Sequence, residues 1–268
     1  MKLDPAELEK VVKTGIMGAV QSSAAHRIPE DRPVYQDDGN DGKARPEVTA
    51  ADAGELCEKN IPKINNFGND YIRSKITKIG RLMFDRQLTD AGGGNISVRH
   101  NGVIYVTPQK TGEIKRWQLE PDDLIALNAK TFEVIENDAE MMSRECLMHL
   151  GLYRALPEVG AVIHAHPRYC LVYACAMVQM PIYTESFAYF ADNQPMECVK
   201  RLPGTSPEMA AEVISFFYSR KERLKSGAAG ALIPDHGIVI AGPTLDDCFV
   251  LLDNAEVNAM AGLFSKLL

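Results

Sequence analysis

Apolar positions recur at helical spacing across residues 64–88, with Ile72, Ile76, Ile79 and Met83 on one side, so an amphipathic helix is predicted there. It ends before Asp90-Ala91-Gly92-Gly93-Gly94, where consecutive glycines release the backbone from the usual steric limits. The period then shortens to two. Ile96-Ser97-Val98-Arg99 and Val103-Ile104-Tyr105-Val106 are β-prone, and Asn101-Gly102 between them marks a hairpin. A second hairpin is expected between residues 124–127 and 132–135. Helices are predicted over 142–155 and 168–177, on either side of the short buried strand Ala161-Val162-Ile163. Ser206-Pro207-Glu208 opens a further helix with a capping serine and a proline at its first position, running to about Lys225. Residues 230–241 read as strand-like. Thr244-Leu245-Asp246-Asp247 starts the last helix, which continues to Leu263 or beyond.

Strands and helices are mixed without regular βαβ alternation. The expected fold is α/β, a central and mostly antiparallel sheet covered by helices, rather than a doubly wound one. Residues 1–60 depart from this pattern. A short helix is possible over 8–25, followed by a polar stretch rich in proline and glycine through Gln36-Asp37-Asp38-Gly39-Asn40-Asp41-Gly42. They are expected to form a partly irregular N-terminal extension, leaving 61–268 as the main domain.

Composition narrows the function. The formal charge of −7 argues against non-specific nucleic-acid binding, which needs a basic face. No apolar stretch is long enough for a membrane span, and Met1-Lys2-Leu3-Asp4-Pro5 opens no secretory signal. The six cysteines form no C-x-x-C pair. They are expected to be reduced, buried residues of a cytoplasmic protein.

The candidate chemistry centres on histidine. His164 and His166 lie two residues apart in Val162-Ile163-His164-Ala165-His166-Pro167. Strand side chains at i and i+2 share a face, so the two imidazoles aim together, as a metal requires. His236, in Pro234-Asp235-His236-Gly237, supplies a third from a separate strand-like segment. Three such ligands leave coordination positions open, the count of a catalytic divalent site. Spacing alone leaves the alternative of hydrogen-bonded core histidines open. Glu145 reads either as a proton-transfer carboxylate or as a first-turn glutamate favoured by the helix dipole. The loop 92–95 can cradle an anion with backbone N–H groups, or is a plain turn. Arg144 offers a planar fork to a carboxylate or phosphate, or is a surface charge.

At this point the residues carry a resemblance to the class II aldolase/adducin family. Gly93-Gly94-Asn95-Ile96-Ser97-Val98-Arg99 resembles its glycine-asparagine loop. Val106-Thr107-Pro108, then Thr111-Gly112, resembles its Thr-Pro-x-Gly turn with extra residues. Ser143-Arg144-Glu145, with His149 one turn later, resembles its catalytic helix start. His164-Ala165-His166 and His236-Gly237 resemble its metal ligands. The resemblance covers roughly three-quarters of the chain and leaves out residues 1–60.

It implies a three-layer αβα catalytic domain and a divalent ion held by His164, His166 and His236. Zinc is the usual ion, with manganese or cobalt as alternatives. Glu145 becomes the acid/base carboxylate, and Gly94, Asn95, Thr111, Gly112, Ser143 and Arg144 the substrate-binding set. Glu185 and Tyr183 fall where relatives place a catalytic residue reaching into the next subunit's site; Glu185 reads equally as an exposed loop residue. Members are commonly tetramers with interface active sites, so a small-molecule substrate and a homotetramer are expected. His149 is expected to be structural, bonded within the helix bundle.

Two departures stand out. The family's sugar-phosphate aldolases have two small hydroxyl residues before the glutamate, where this chain has Ser143 and Arg144. Its C-terminal residues, Gly262-Leu263-Phe264-Ser265-Lys266-Leu267-Leu268, include no tyrosine of the kind some relatives use. The expected function is a metal-dependent carbon–carbon lyase of aldolase type, passing through a metal-stabilised enediolate. A decarboxylase is the alternative, because Arg144 suits a carboxylate. A 4-epimerase ranks lower, since those relatives carry aspartate where Glu145 stands. An adducin-like scaffold would lack the full ligand set.

Overall fold

The structure is a computed structural model, and it describes residues 68–268. The first helix, α1, spans Asn69–Asp85 behind the N-cap Gly68; the part of the expected helix before Gly68, like the extension over 1–60, lies outside the described residues. The helix stops short of Leu88 because Gln87 turns to φ 62°, a left-handed conformation that ends a right-handed helix. β1 (Asn95–His100) and β2 (Val103–Val106) pair with His100 opposite Val103. Asn101 and Gly102 have φ of 48° and 79°, the type I′ turn that Asn-Gly favours. β3 (Ile125–Asn128) and β4 (Val134–Glu136) form the second hairpin.

α2 spans Cys146–Ala155, a shorter helix than expected. Ala139–Met141 is a separate turn capped by Asp138, and Met142 is extended. Glu145 therefore stands at the N-cap of α2. β5 (Ala161–Ala165) leads into α3 (Arg168–Ala176). α4 (Glu185–Phe190) was not anticipated; only six residues long, it starts where the Thr184 hydroxyl accepts the Phe187 N–H. α5 (Pro207–Tyr218) begins at the predicted Ser206 cap but ends before Lys225, which lies in a separate turn.

The strand-like stretch 230–241 is two strands, β6 (Ala229–Ile233) and β7 (Gly237–Gly242). Pro234 has no N–H for a ladder, and Asp235 takes φ 57°. His236 thus sits in a hairpin turn and not on a strand. α6 (Leu245–Phe264) completes the chain behind its Thr244 cap.

The seven strands are ordered β4-β3-β2-β1-β5-β7-β6, and every pairing between neighbours is antiparallel. Helices cover both faces, giving the expected three-layer αβα fold. Period-two alternation sorts the side chains. Ile104, Val106, Val162 and Val239 pack with α2 and α5 on one face, while Tyr105, Ile163 and Ile240 pack with α1, α3 and α6 on the other. Burying each such aliphatic side chain contributes about 1.5–3 kcal/mol. β5 and β7 are buried throughout, which explains their unbroken apolar runs.

Cys146, Cys170 and Cys248 are buried free thiols, but Cys175 is exposed and Cys198 only half-buried. Among the described residues, no helix is long and apolar enough to cross a membrane.

Topology gathers chemistry at one end of the sheet. Asn95 at the start of β1 lies opposite His164 at the end of β5, and His164 lies opposite Val239 near the start of β7.

Candidate metal centre

Neighbouring strands run in opposite directions, so the end of β5 meets the start of β1 and the turn before β7. His164 from β5, His166 just beyond it and His236 from the turn converge there. Their ligand nitrogens all lie within 4.8 Å of one another. His164 Nε2 and His166 Nε2 are 3.1 Å apart, and the three ring centroids stand 4.8–5.3 Å apart. Glu145 Oε1 lies 2.7 Å from His236 Nε2 and 3.3 Å from His164 Nε2. Asn95 Nδ2 donates to Glu145 Oε2 at 2.6 Å.

The outer nitrogens show which atoms are left to face the centre. His164 Nδ1 lies 2.9 Å from the Ile238 carbonyl, which can only accept. His166 Nδ1 faces Asp90 Oδ1 at 3.3 Å. A neutral imidazole that donates from Nδ1 presents a lone pair at Nε2. Two such lone pairs aimed at each other repel unless a proton or a metal cation lies between them. Zinc–imidazole bonds run about 2.0–2.1 Å, which puts two ligand nitrogens on the order of 3 Å apart. The residues therefore fit a divalent metal held by three histidines.

Burial works against a charge on Glu145, but the facing His164 and His236 outweigh it and hold its carboxyl well below the usual range. Burial likewise opposes charge on His164, yet Glu145 raises its pKa. Burial, then the neighbouring His164, push His166 down to about 4. The site thus combines an ionised carboxylate with a neutral imidazole at His166.

Asp90 was missed by the sequence reading. Its Oδ1 accepts the Gly92 and Gly93 N–H groups and faces His166. One carboxylate thereby shapes the glycine loop and orients a ligand. The available signal was an Asp two residues before a glycine run, the pattern of an Asx turn. The glycines serve close packing. A Cβ on Gly93 would fall 2.1 Å from His166 Cε1, and one on Gly237 2.8 Å from His166 Cδ2. Gly93→Ala is expected to displace the ring and weaken metal affinity about 10- to 100-fold, measured by competition with a chelator. Gly92→Ala, whose Cβ would meet only Asp90 Oδ1 at 3.4 Å, is the matched control and should retain affinity.

The expected substrate-binding residues are placed unevenly. Asn95 is turned to Glu145. Gly94, at φ 91°, lets the loop pass close to the His164 carbonyl. The Thr111 hydroxyl is occupied by the Pro108 carbonyl, and Gly112 packs on the backbone of Asp90 and Ala91. Ser143 Oγ accepts the Glu145 N–H. Arg144 lines a narrow cleft with Glu145, His236 and Met209. Tyr183 and Glu185 are exposed, and neither lines the cleft with Arg144 or the cavity beside His166. Tyr183 fills the space left by Gly262 on α6, and Asn258 fixes its backbone by accepting the Tyr183 and Thr184 N–H groups.

His149 is bonded to the sheet and not, as expected, within the helix bundle. Its Nδ1 lies 2.8 Å from Ser97 Oγ, which also meets the Tyr153 hydroxyl. Burial holds this imidazole down to about 3, against about 6.5 in an unfolded chain. The unfolded chain takes up a proton that the native state excludes. This stability is full above pH ~6.5 and is lost as pH falls toward 3. Between pH 7 and 4.5, His149→Asn is expected to lose about 2–3 kcal/mol less unfolding free energy than the parent, measured by urea titration at both pH values.

An L-fuculose phosphate aldolase from Methanococcus vannielii is 28% identical over 193 residues, covering 70% of this chain and 96% of that protein. A 3-oxo-tetronate 4-phosphate decarboxylase from Haemophilus influenzae is 28% identical over 202 residues, covering 72% and 86%. An L-fuculose-1-phosphate aldolase from Thermus thermophilus shares the fold with a TM-score of 0.58 at 21% identity, over 73% of this chain and 94% of that one. The profile of the Class II Aldolase and Adducin N-terminal domain matches residues 74–261. The chain belongs to that family.

Proposed function

We propose that the protein is a divalent-metal-dependent carbon–carbon lyase of aldolase type, acting on a small, phosphorylated hydroxy-carbonyl substrate. The observation that carries this reading is the convergence of three imidazole nitrogens with an ionised Glu145 at the sheet end. A scaffold module has no need of a complete ligand set, and ligands held this way cost stability unless used. His164, His166 and His236 would hold the ion, zinc first given an all-imidazole set, with manganese or cobalt as alternatives. When bound, the cation supplies Lewis acidity toward the carbonyl and neighbouring hydroxyl oxygens of the substrate, where negative charge develops on carbon–carbon cleavage.

The chain's own residues do the rest. Glu145 moves the proton, with Oε1 at the centre and Oε2 steered by Asn95. Asp90 and the Ile238 carbonyl keep His166 and His164 turned inward. Ser143 would lie beside the substrate's phosphate. A homotetramer would bring Tyr183 and Glu185 to a neighbour's site.

Decarboxylation is the second reading, favoured by Arg144 in the cleft with Glu145 and His236 and by the name of the Haemophilus influenzae relative. Metal analysis of the purified chain, paired with a substrate screen, tests both. Keto-sugar phosphates are followed by aldehyde release, and hydroxy and keto acid phosphates by carbon dioxide release. About one divalent ion per chain with aldehyde release supports the aldolase; carbon dioxide release alone moves the assignment to the decarboxylase; native protein that takes up no metal sinks both.

A further inference from the structure

We propose that Arg116 and Arg168 bind a carboxylate at one end of the substrate, in the cavity beside His166. This deepens the lyase reading and rests on it. The cavity measures about 600 Å³, and its wall includes Asp85, Asp90, Arg116, His166 and Arg168. It shares no lining residue with the cleft that Arg144 forms beside Glu145 and His236. The histidine cluster thus lies between two separate arginine-bearing recesses.

The charges in this cavity are not balanced by their own contacts. Asp85 Oδ2 accepts from Arg81 Nε at 2.9 Å. Asp90 Oδ1 takes two backbone N–H groups and faces His166. Both carboxylates are occupied. Among the described residues, Arg116 gives its side chain only to the Gly112 carbonyl, at 3.2 Å, and the Arg168 guanidinium has no partner. A guanidinium carries five N–H donors in a planar fork matched to a carboxylate.

Arg168 is not where stability would put it. Arg168 is the first residue of α3, and a cation at a helix N-terminus opposes the dipole. Arg116 and Trp117 are consecutive non-glycine residues at positive φ, 51° and 59°. The left-handed Arg116 caps the turn Thr111–Lys115, and its neighbour holds it in place. Here the anchor is Trp117, fully buried and pressed toward Gly80 and Gly94. Its burial fixes an otherwise exposed arginine on the cavity wall. The ligand that fits is an anionic group a short reach from the oxygens at the histidines. With a phosphate on the far side, the substrate class is a phosphorylated sugar acid or its keto form.

Two compounds isolate the carboxylate. Erythronate 4-phosphate and erythritol 4-phosphate share a carbon chain and a phosphate but end in a carboxylate and an alcohol. Their affinities for the full, metal-replete chain are measured by calorimetry. The parent is expected to prefer the acid by about tenfold or more, the worth of one charge-assisted contact. Arg168→Gln and Arg116→Gln should each erase most of that preference, without loss of bound metal or of alcohol affinity. Arg168→Lys should restore part of it. Equal affinities in the parent, or a preference that survives Arg116→Gln/Arg168→Gln, overturns the proposal and leaves the lyase reading intact. An altered molecular mass in Arg168→Gln with the preference unchanged also overturns it, since Arg168 would then serve a second copy of the chain. If the purified chain holds no metal and binds neither compound, the lyase reading falls, and this proposal with it.

Discussion

Glu145→Gln is expected to lower kcat by about 10²- to 10⁴-fold, the range for loss of a positioned acid/base group, while the protein keeps its metal. Glutamine preserves shape and can still accept from Asn95, so the loop and α2 should hold their places. What it loses is basicity. Oε1 lies 2.7 Å from His236 Nε2 in a pocket where the imidazoles hold the carboxyl well below its ordinary pKa. An ionised carboxylate at neutral pH can take a proton; an amide cannot. The discriminating measurement is metal content and kcat on one preparation. A variant that retains metal and nearly full kcat would remove Glu145 from the chemistry and reduce it to a helix-start residue.

His164→Ala is expected to abolish tight metal binding and to reduce kcat/KM by at least about 10³-fold, since metal polarisation is worth several kcal/mol of barrier. His164 is fully buried and bonded to the Ile238 carbonyl, so alanine also leaves a cavity and an orphaned acceptor. His166→Ala, at the more open edge of the site, removes a ligand without that structural loss. Both variants should show the native circular dichroism spectrum, with metal absent by elemental analysis. Folded His166→Ala protein that still holds one equivalent of metal would contradict the three-histidine assignment.

Elements whose signal is local were legible in the sequence. Asn101-Gly102 specifies its own turn, and the observed pairing of His100 with Val103 follows. Ser206-Pro207 and Thr244 are caps whose side chains accept N–H groups within the same turn. Parity put His164 and His166 on one side because a strand's alternation is fixed by its backbone. Features set by distant partners were not legible. Whether Glu145 falls inside α2 or at its start depends on how 138–142 turns. Asp90 acts through His166, distant in sequence but 3.3 Å away. His149 finds its partner on β1, an element that helical periodicity does not report. The split of 230–241 was in principle readable from Pro234-Asp235, since proline in mid-ladder argues against a single strand.

The strand order also bears on how the protein is built during folding. β1 to β4 form one sequence-local meander and β6–β7 another hairpin, with β5 as the join between them. Asn95, His164 and His236 lie on three different parts of that assembly, and Glu145 on a fourth, so no early fragment owns a complete ligand set. Cation capture thus marks the finish of assembly and cannot nucleate it. Trp117, the only tryptophan in the chain, reports on the first meander, and its refolding rate should be indifferent to added zinc. Acceleration by zinc would mean that the ligands meet before the sheet is whole.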